Sequence, residues 1–269
     1  MDANQDQGAK ELFQGQAQLY KLMFSHLSST SLKCAIELGI ADIIHSHGRA
    51  ITLSELVSAL DIQPTKTTSL FRLMRLLVHS GCFNKTKVNG QEEAYGLTAA
   101  STLLIKDKPY SMSPTVSAFV DPLFVAPFQS LSSWFKGTEL TLWETVHGIK
   151  FWEFMNQNPG INQRLNEAMA SDTEIMQALL SKPSLVFHGL GDEDGLKILK
   201  KRREAIASNG ERGKVIIIDI VINAEEEEHE LTETKFLFDI VLRVNSTGKE
   251  RTESEWAKLF SMLVSVTTK

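Results

Sequence analysis

The segment ITLSELVSALDIQPTKTTSLFRLMRLLVHSGCF, residues 51–83, carries the signals of two consecutive helices. Thr52 and Glu55 match a capping box, with threonine at the N-cap and glutamate three residues later. Pro64 opens a second helix, and Gly81 is placed to end it in the left-handed conformation that glycine tolerates. The apolar residues of this second helix repeat with helical spacing and would share one side: Leu70, Leu73, Met74, Leu77 and Val78.

A β-hairpin is predicted immediately after these helices. Cys82–Lys87 and Glu93–Thr98 are short strand-like runs, and Asn89-Gly90 between them is a strong signal for a tight turn. Helix, helix and hairpin in this order are typical of a winged helix. Such domains can bind DNA through the second helix, but only two arginines lie on it here, which favours dimer contact or substrate shaping.

The composition excludes several classes of protein. The chain has 269 residues and a formal net charge of −5, so no overall positive field would draw it to nucleic acid or to an anionic membrane. Its cysteines are Cys34 and Cys82, which indicates a reducing compartment. The polar N-terminus has no apolar signal core, and no apolar run approaches the ~20 residues of a membrane span. We therefore expect a cytoplasmic protein without nucleic-acid, membrane or metal sites.

The apolar side chains of the N-terminal region are predicted to pack against another protein surface. Apolar residues with helical spacing form a stripe within residues 12–27 and a second stripe within residues 32–44. The first stripe lies at the terminus, where a lone helix is only marginally stable. Either the body of the chain or a second subunit would have to cover it.

Residues 120–155 are rich in aromatic side chains and contain three of the four tryptophans of the chain. Most of these side chains would be core, yet a cluster this dense can also form the wall of a pocket for a flat ligand. A helix predicted around residues 162–180 adds Met169, a soft side chain suited to an adaptable wall. The aromatic residues are Phe124, Phe128, Trp134, Phe135, Trp143, Phe151, Trp152 and Phe154.

The second half of the chain mixes helices with one clear strand. Residues 214–219, KVIIID, form a β-branched run that is typical of a strand buried on both faces. Helices are predicted before it at 194–207 and after it at 232–244 and 252–262. Buried parallel strands occur in sheets built from βαβ units, yet few other strands can be identified, and Leu185–Phe187 is too short to assign. The sequence therefore predicts a mainly α protein with an α/β remnant.

Several long passages, in the correct order, point to one family. They are AQLYKLMFSHLSSTSLKCAIELGIADIIHSHG (17–48), FRLMRLLVHSGCF (71–83), FWEFMNQNP (151–159), LNEAMASD (165–172), GKVIIIDIVI (213–222) and GKERTESEW (248–256). The chain resembles the plant S-adenosylmethionine-dependent O-methyltransferases that act on phenolics, close to the isoflavone and flavonoid members. The match covers nearly everything up to Gly189 and most of residues 192–260.

This resemblance implies a fold and a reaction. Residues 1–110 would be a winged-helix-like dimerisation domain, and residues 111–269 a Rossmann-like methyltransferase domain that binds S-adenosylmethionine. The N-terminal domain would form a homodimer, or a heterodimer with related O-methyltransferases. The reaction is in-line transfer of the sulfonium methyl group to the oxygen of a small phenolic substrate. Because a free phenol has a pKa of about 10, a positioned base, usually histidine, helps the transfer.

The resemblance also implies site residues, one position at a time. Asp219 matches the acid at the end of a family strand, and Glu250 matches the glutamate of the G-K-E-R motif. Both would orient the base histidine. Met169 matches the methionine that clamps the aromatic acceptor, and Trp152 is a second predicted substrate-binding residue. Thr173 falls where relatives place a hydroxyl near the donor.

The donor site is where the sequence departs from the family. Relatives carry a glycine-rich V-D-V-G-G-G-x-G loop after a strand and an acid for the ribose, whereas this chain runs from VFHGLG directly to DEDGLKILKK. The methyltransferase domain would thus be internally shortened near 189–192, and also shortened after Phe260. His188 aligns either with the family's base or with the linker before the glycine loop. We therefore expect donor binding to be weak or absent.

Three interpretations stay open on the sequence. The chain would be a phenolic O-methyltransferase that has lost its donor segment. It would alternatively be a non-catalytic dimerisation partner of full-length relatives. A third interpretation is that the sequence is the product of a mis-spliced transcript or an incorrect gene model.

Overall fold

The protein is described by a computed structural model that covers residues 3–88, 90, 92–180, 185–186, 191–208, 217–222 and 228–265. Contacts between residues divide the chain into two units. Unit 1 comprises Met1–Phe124 and Arg164–Asp172, and unit 2 comprises Val125–Gln163 and Thr173–Lys269. The units are defined by contacts alone, so the domain limits of 1–110 and 111–269 remain predictions.

Unit 1 is a helical body with one small antiparallel sheet. The order of its strands is β1-β3-β2, and β2 pairs with β3 from Phe83↔Leu97 to Val88↔Glu92. Its elements are α1 (Ala3–Met23), α2 (Ser25–Glu37), α3 (Ile40–His47), β1 (Ile51–Thr52), α4 (Leu53–Ala59), a 3₁₀ turn (Pro64–Lys66), α5 (Thr67–His79), β2 (Phe83–Val88), β3 (Glu92–Leu97), α6 (Ala99–Thr102), α7 (Ser113–Phe119) and the first residues of α8 (Pro122–Val125).

The winged-helix prediction is confirmed by α4, α5 and the β2–β3 hairpin. The capping box at the start of α4 forms as expected: the Glu55 backbone N–H donates to Thr52 Oγ1 at 3.3 Å, and the Thr52 N–H donates to Glu55 Oε2 at 2.8 Å. The hairpin turn contains Gly90 at φ 78°, a left-handed conformation that favours glycine. Asn89 lies outside the described residues.

The core of unit 1 is apolar and closed. The buried faces of α2, α3, α4 and α5 meet the inner face of the sheet, as the 3.6-residue spacing of their apolar residues predicts. Full burial of one such side chain contributes about 1.5–3 kcal/mol to stability. The fully buried members include Ile40, Ile51, Leu56, Met74 and Phe83.

Unit 2 is also mainly helical, but its strands are very short. The helix α12 contributes Arg164–Asp172 to unit 1 and its two ends to unit 2. The elements are the remainder of α8, a 3₁₀ turn (Ala126–Ser130), α9 (Leu131–Trp134), α10 (Leu142–His147), α11 (Phe151–Gln157), α12 (Pro159–Leu180), β4 (Leu185–Val186), α13 (Asp192–Ser208), β5 (Ile217–Ile218), α14 (His229–Asn245) and α15 (Glu253–Ser265).

The sheet of unit 2 consists, in the part of the chain that is described, of the parallel pair β4–β5. Leu185 pairs with Ile217 and Val186 with Ile218, and a parallel bridge joins Val221 to Arg251. Within the strand predicted at 214–219, Ile217–Ile218 form β5, and residues 214–216 lie outside the described residues. Within the stretch 185–187, which is too short to assign from the sequence, Leu185–Val186 form β4, and Phe187 lies outside the described residues. The prediction of a mainly α chain with an α/β remnant is confirmed.

No helix among the described residues combines the length and apolarity that a membrane crossing requires. The described residues also hold no group of three or more histidine, cysteine or acidic side chains that could bind a metal ion.

Candidate catalytic site

The segment between α14 and α15 carries the most unusual electrostatics of unit 2. It contains Glu250 and Arg251, both buried, directly before the start of α15. Thr252 caps that helix, because the Glu255 backbone N–H donates to Thr252 Oγ1 at 3.3 Å and the Thr252 N–H donates to Glu255 Oε2 at 2.9 Å. The cap fixes where the helix begins and therefore where the preceding glutamate lies.

Glu250 is a buried carboxyl group that lacks a partner of the usual kind. It is 3 % exposed, and neither of its carboxylate oxygens accepts a hydrogen bond from any donor in the described ranges. Its backbone N–H, in contrast, is well satisfied and donates to Asp239 Oδ1 on α14 at 2.8 Å. A buried carboxylate without donors costs free energy, so the protonated form is favoured.

Asp219 lies beside Glu250 and strengthens this effect. It follows β5 directly, and its Oδ1 accepts a hydrogen bond from the Ile220 N–H at 3.0 Å. Burial, then the negative charges of Asp219 and Asp239 and a hydrogen bond to Asp219, raise the pKa of Glu250 to about 8. A carboxyl group with this pKa is mainly protonated at neutral pH. The structure thus brings the two predicted acids close together.

Arg251 does not neutralise Glu250 and Asp219, because its guanidinium forms an ion pair with Asp192. It is 1 % exposed, and its Nε and Nη2 donate to Asp192 Oδ1 at 3.1 and 2.8 Å. Its guanidinium lies 5.0 Å from the ring centroid of Trp256, within range of a cation–π contact. The hydrogen bond from Arg251 is the main reason that the pKa of Asp192 is lowered.

The sequence reasoning missed Asp239, Arg251 and Asp192. Arg251 follows Glu250 in the GKERTESEW passage, so an arginine beside a candidate buried acid was the available signal. Asp192 begins the DEDGLKILKK segment, whose acids were given no role from the sequence. Nothing local marks Asp239, because its contact with Glu250 joins a helix to the loop that follows it.

The remaining predicted site residues occupy different environments. Met169 and Thr173 lie one turn apart on α12, so their side chains project from the same side of that helix. Trp152 is 62 % exposed and packs edge-on against Phe151, with ring centroids 5.0 Å apart. His188 lies outside the described residues, and its role as the base remains a prediction.

The aromatic segment of unit 2 is partly core and partly surface. Trp143 is completely buried and packs edge-on against Phe151 and Phe154, at centroid distances of 5.0 and 5.2 Å. The ring centroids of His147 and Trp143 lie 4.1 Å apart. Burial lowers the pKa of the His147 imidazole. The interpretation of most of these rings as core therefore holds for Trp143, whereas Trp152 remains accessible to a ligand.

Comparison with known proteins identifies the family. A family profile for an O-methyltransferase dimerisation domain matches residues 20–107, and one for an O-methyltransferase domain matches residues 178–263. An isoflavone 7-O-methyltransferase of Glycyrrhiza echinata is 34 % identical, with 93 % of this chain and 90 % of the relative covered. The chain belongs to the O-methyltransferase family. S-adenosylmethionine is the methyl donor of that family, and the dimerisation domain implies that the methyltransferase forms oligomers.

Other similar proteins agree with this assignment. A flavonoid 4'-O-methyltransferase of Glycine max is 34 % identical, with 96 % of this methyltransferase and 92 % of the relative covered. Among solved structures, CalO1, a methyltransferase in calicheamicin biosynthesis, has a TM-score of 0.68 at 17 % identity, over 98 % of this chain and 93 % of that one. Human N-acetylserotonin methyltransferase has a TM-score of 0.65 at 12 % identity, over 93 % and 92 %. These solved structures establish the similarity of fold.

The alignment with the relatives also shows an internal shortening. The alignment with the isoflavone 7-O-methyltransferase is 323 positions long, whereas this methyltransferase has 269 residues. More than fifty interior positions of the alignment therefore have no residue in this chain. The lengths do not locate these positions along the chain, so the shortening near 189–192 remains a prediction.

Gly191 and Asp192, the described residues between β4 and the body of α13, do not fit a nucleoside donor. Donor-binding βαβ units need glycines that let the backbone approach the ligand and a free helix N-terminus behind them. Here a Cβ on Gly191 would meet the Thr247 carbonyl oxygen at 3.4 Å, so this glycine faces the protein's own backbone. Asp192 begins α13 with a carboxylate that is bound by Arg251 and lies 3.4 Å from Lys249 Nζ. Gly191 and Asp192 are thus engaged in contacts within the protein.

Proposed function

We propose that the chain carries the acceptor-binding and base-orienting half of a phenolic O-methyltransferase and lacks the half that binds the donor. The acceptor class is a flavonoid-like or isoflavonoid-like phenol. The observation that carries the proposal is the buried Glu250 carboxyl beside Asp219. A buried glutamate beside an aspartate is suited to hold an N–H-bearing group in one orientation.

The chemistry of a phenol explains why such a pair is useful. A phenol with a pKa of about 10 is almost fully protonated at neutral pH, so its oxygen is a poor nucleophile until a base takes the proton. The positive charge that forms on an imidazole base is stabilised by an adjacent carboxylate. Asp219, which follows β5 and lies beside Glu250, would supply that carboxylate. His188 remains the proposed base of this chain.

The acceptor side rests on residues with accessible soft or aromatic surface. Trp152 exposes most of its ring, and Met169 exposes part of its side chain on α12. Flat phenolic ligands stack on such groups, and all four tryptophans lie in unit 2, so acceptor binding can be followed by tryptophan fluorescence. Thr173 remains a proposed donor-side residue, because it falls where relatives place a hydroxyl near the donor.

The test compares a phenol with its own methyl ether. Fluorescence quenching should show tighter binding of the free phenol, because only the phenol can donate a hydrogen bond toward the acid pair or its base. Asp219→Asn should abolish the preference, while Glu253→Gln, an exposed acid on α15, should keep it. Equal affinity for phenol and methyl ether, or an unchanged preference in Asp219→Asn, would contradict the proposal.

A second candidate function, that of a dimerisation partner, is favoured by the surface of α1. Apolar side chains that are about half or more exposed follow one side of this helix into α2, and the dimerisation profile begins within it. We propose that a second copy or a related full-length chain covers them. The exposed residues are Leu12, Phe13, Leu19, Tyr20, Leu22, Met23 and Leu27.

Light scattering after size exclusion tests this candidate function. The double variant Leu19→Asp and Leu22→Asp should shift the dimer to the monomer mass. Gln14→Asp on the opposite side of α1 should leave the dimer intact. Co-expression with a full-length relative should yield a heterodimer, and monomeric wild-type protein with no heterodimer would refute the assignment. The low cysteine count supports a cytoplasmic location for either function.

A further inference from the structure

Two residues of α14, one helical turn apart, contact the two chain segments that carry the acid pair. Asp239 Oδ1 accepts the backbone N–H of Glu250 at 2.8 Å. Lys235 Nζ donates to the carbonyl oxygen of Val221 at 2.8 Å, in the segment that begins with Asp219. Residues four apart on a helix lie on the same side, so one face of α14 reaches both segments.

The two segments are also joined directly to each other. Val221 and Arg251 form a parallel bridge, and the Ile222 N–H donates to the Arg251 carbonyl oxygen at 3.0 Å. The bridge sets the spacing of the backbones, whereas the contacts from α14 set how far each segment can rotate. The direction of a side chain follows from the orientation of its backbone, so Asp239 and Lys235 together determine whether the carboxyls of Glu250 and Asp219 face each other.

We propose that Asp239 and Lys235 are positioning residues, and that α14 acts as a clamp that holds the carboxyl groups of Asp219 and Glu250 against each other. This inference deepens the proposed function, on whose assignment of the acid pair it rests. Neither residue touches the reacting atoms, so each acts through the pair.

The charges around Glu250 give the clamp a measurable signature. Three charged groups act on the pKa of Glu250: Asp219 after β5, Asp239 on α14, and Arg251, which follows Glu250 in the chain. The two aspartates raise this pKa by more than Arg251 lowers it. Asp239 thus contributes twice, through its hydrogen bond and through its charge. Asp239→Asn keeps the accepting oxygen and removes the charge, whereas Asp239→Ala removes both.

The test is a pH titration of the Glu250 carboxyl carbon by ¹³C NMR, assigned with Glu250→Gln. The wild-type midpoint should lie at about 8. Asp239→Asn should lower it by about 1 pH unit, the size expected for removal of one nearby like charge. Asp239→Ala should lower it further than Asp239→Asn, because the carboxyls also separate. Lys235→Met should lower it as well, although loss of a positive charge alone would not, because it too lets the carboxyls separate. Glu233→Gln, an exposed acid on the same helix, should leave the midpoint unchanged.

Several outcomes would overturn the clamp. A wild-type midpoint in the ordinary glutamate range would do so, as would variants at Asp239 and Lys235 that lower the melting temperature but leave the Glu250 midpoint in place. If Asp239→Ala does not fold, Lys235→Met, which removes the contact with the Val221 carbonyl oxygen and leaves Asp239 in place, decides the matter. The titration uses neither donor nor phenol, so its result is independent of whether the proposed function survives.

Discussion

Unit 1 and unit 2 are stabilised by different kinds of interaction. Unit 1 has an apolar core in which α2, α3, α4 and α5 close over the sheet, with Ile51 and Leu56 completely buried. Unit 2 has two-residue strands, and the loop between α14 and α15 carries two buried charged residues, Glu250 and Arg251. Apolar burial is insensitive to pH, whereas buried ionisable groups are not. Between pH 6 and pH 8, the stability of unit 2 should therefore depend on pH more than that of unit 1 does.

The tryptophans make this comparison measurable. All four lie in unit 2, so the fluorescence of the chain during urea unfolding reports on unit 2, while circular dichroism reports on the helices of both units. Both fluorescence and circular dichroism are therefore recorded for every variant. Identical responses of both signals to every variant would mean that the units unfold as one.

The largest effect is expected in the core of unit 1. Met74 is 0 % exposed on α5, so Met74→Ala should cost about 2–5 kcal/mol through lost burial and the cavity that remains. Arg75→Ala, at an exposed site on the same helix, is the control and should change the free energy of unfolding by less than about 0.5 kcal/mol. The variant should shift the circular dichroism transition more than the fluorescence transition, and the reverse order would break the comparison.

A smaller loss is expected at the buried arginine of unit 2. Arg251→Ala removes two hydrogen bonds to Asp192 and the contact with Trp256, a cost of about 1.5–3 kcal/mol. The cost stays below that of a fully buried ion pair because Asp192 is largely exposed and can be rehydrated. Arg243→Ala, an exposed arginine on α14, should be nearly neutral. A neutral Arg251→Ala measured by fluorescence would show that the charged junction does not stabilise unit 2.

Glu250 should make unit 2 less stable as the solution becomes alkaline. The pKa of Glu250 is raised to about 8 in the folded chain, so the folded state binds more protons than the unfolded state above the ordinary glutamate range. Its stabilising contribution is complete below that range and is lost as the pH rises through 8, which amounts to roughly 2 kcal/mol between pH 6 and pH 8. Glu250→Gln should flatten the fluorescence-detected profile, while Glu253→Gln should retain the slope.

His147 should produce the smallest effect, and on the acid side. Burial lowers the pKa of its imidazole, so the folded state binds fewer protons than the unfolded state. Stability is therefore complete above the ordinary histidine range and is lost as the pH falls through the lowered pKa. His147→Gln should weaken this acid destabilisation in the fluorescence signal, and His229→Gln, an exposed histidine, should not. If His147→Gln loses as much stability at acid pH as the wild type, another group must cause the acid destabilisation.

The comparison also explains which features could be predicted from the sequence. The capping box of Thr52 and Glu55 and the faces of α4 and α5 are local patterns, so unit 1 was largely predictable. The contact between Arg251 and Asp192 joins residues far apart in the chain and has no periodic signal. The strand β4 is too short for alternation to be detected. Asp219 and Glu250 were predicted through the family resemblance, and only the structure shows that Glu250 is buried and that Asp219 and Asp239 act on its pKa.

The central claim is that this methyltransferase has kept its acid pair and lost its donor site. Calorimetric titration of the purified chain with S-adenosylmethionine tests it most directly, with a full-length relative such as the isoflavone 7-O-methyltransferase of Glycyrrhiza echinata as the positive control. The relative should bind the donor, and this chain should give no binding heat at concentrations where the relative is saturated. Micromolar binding of S-adenosylmethionine by this chain would contradict the account.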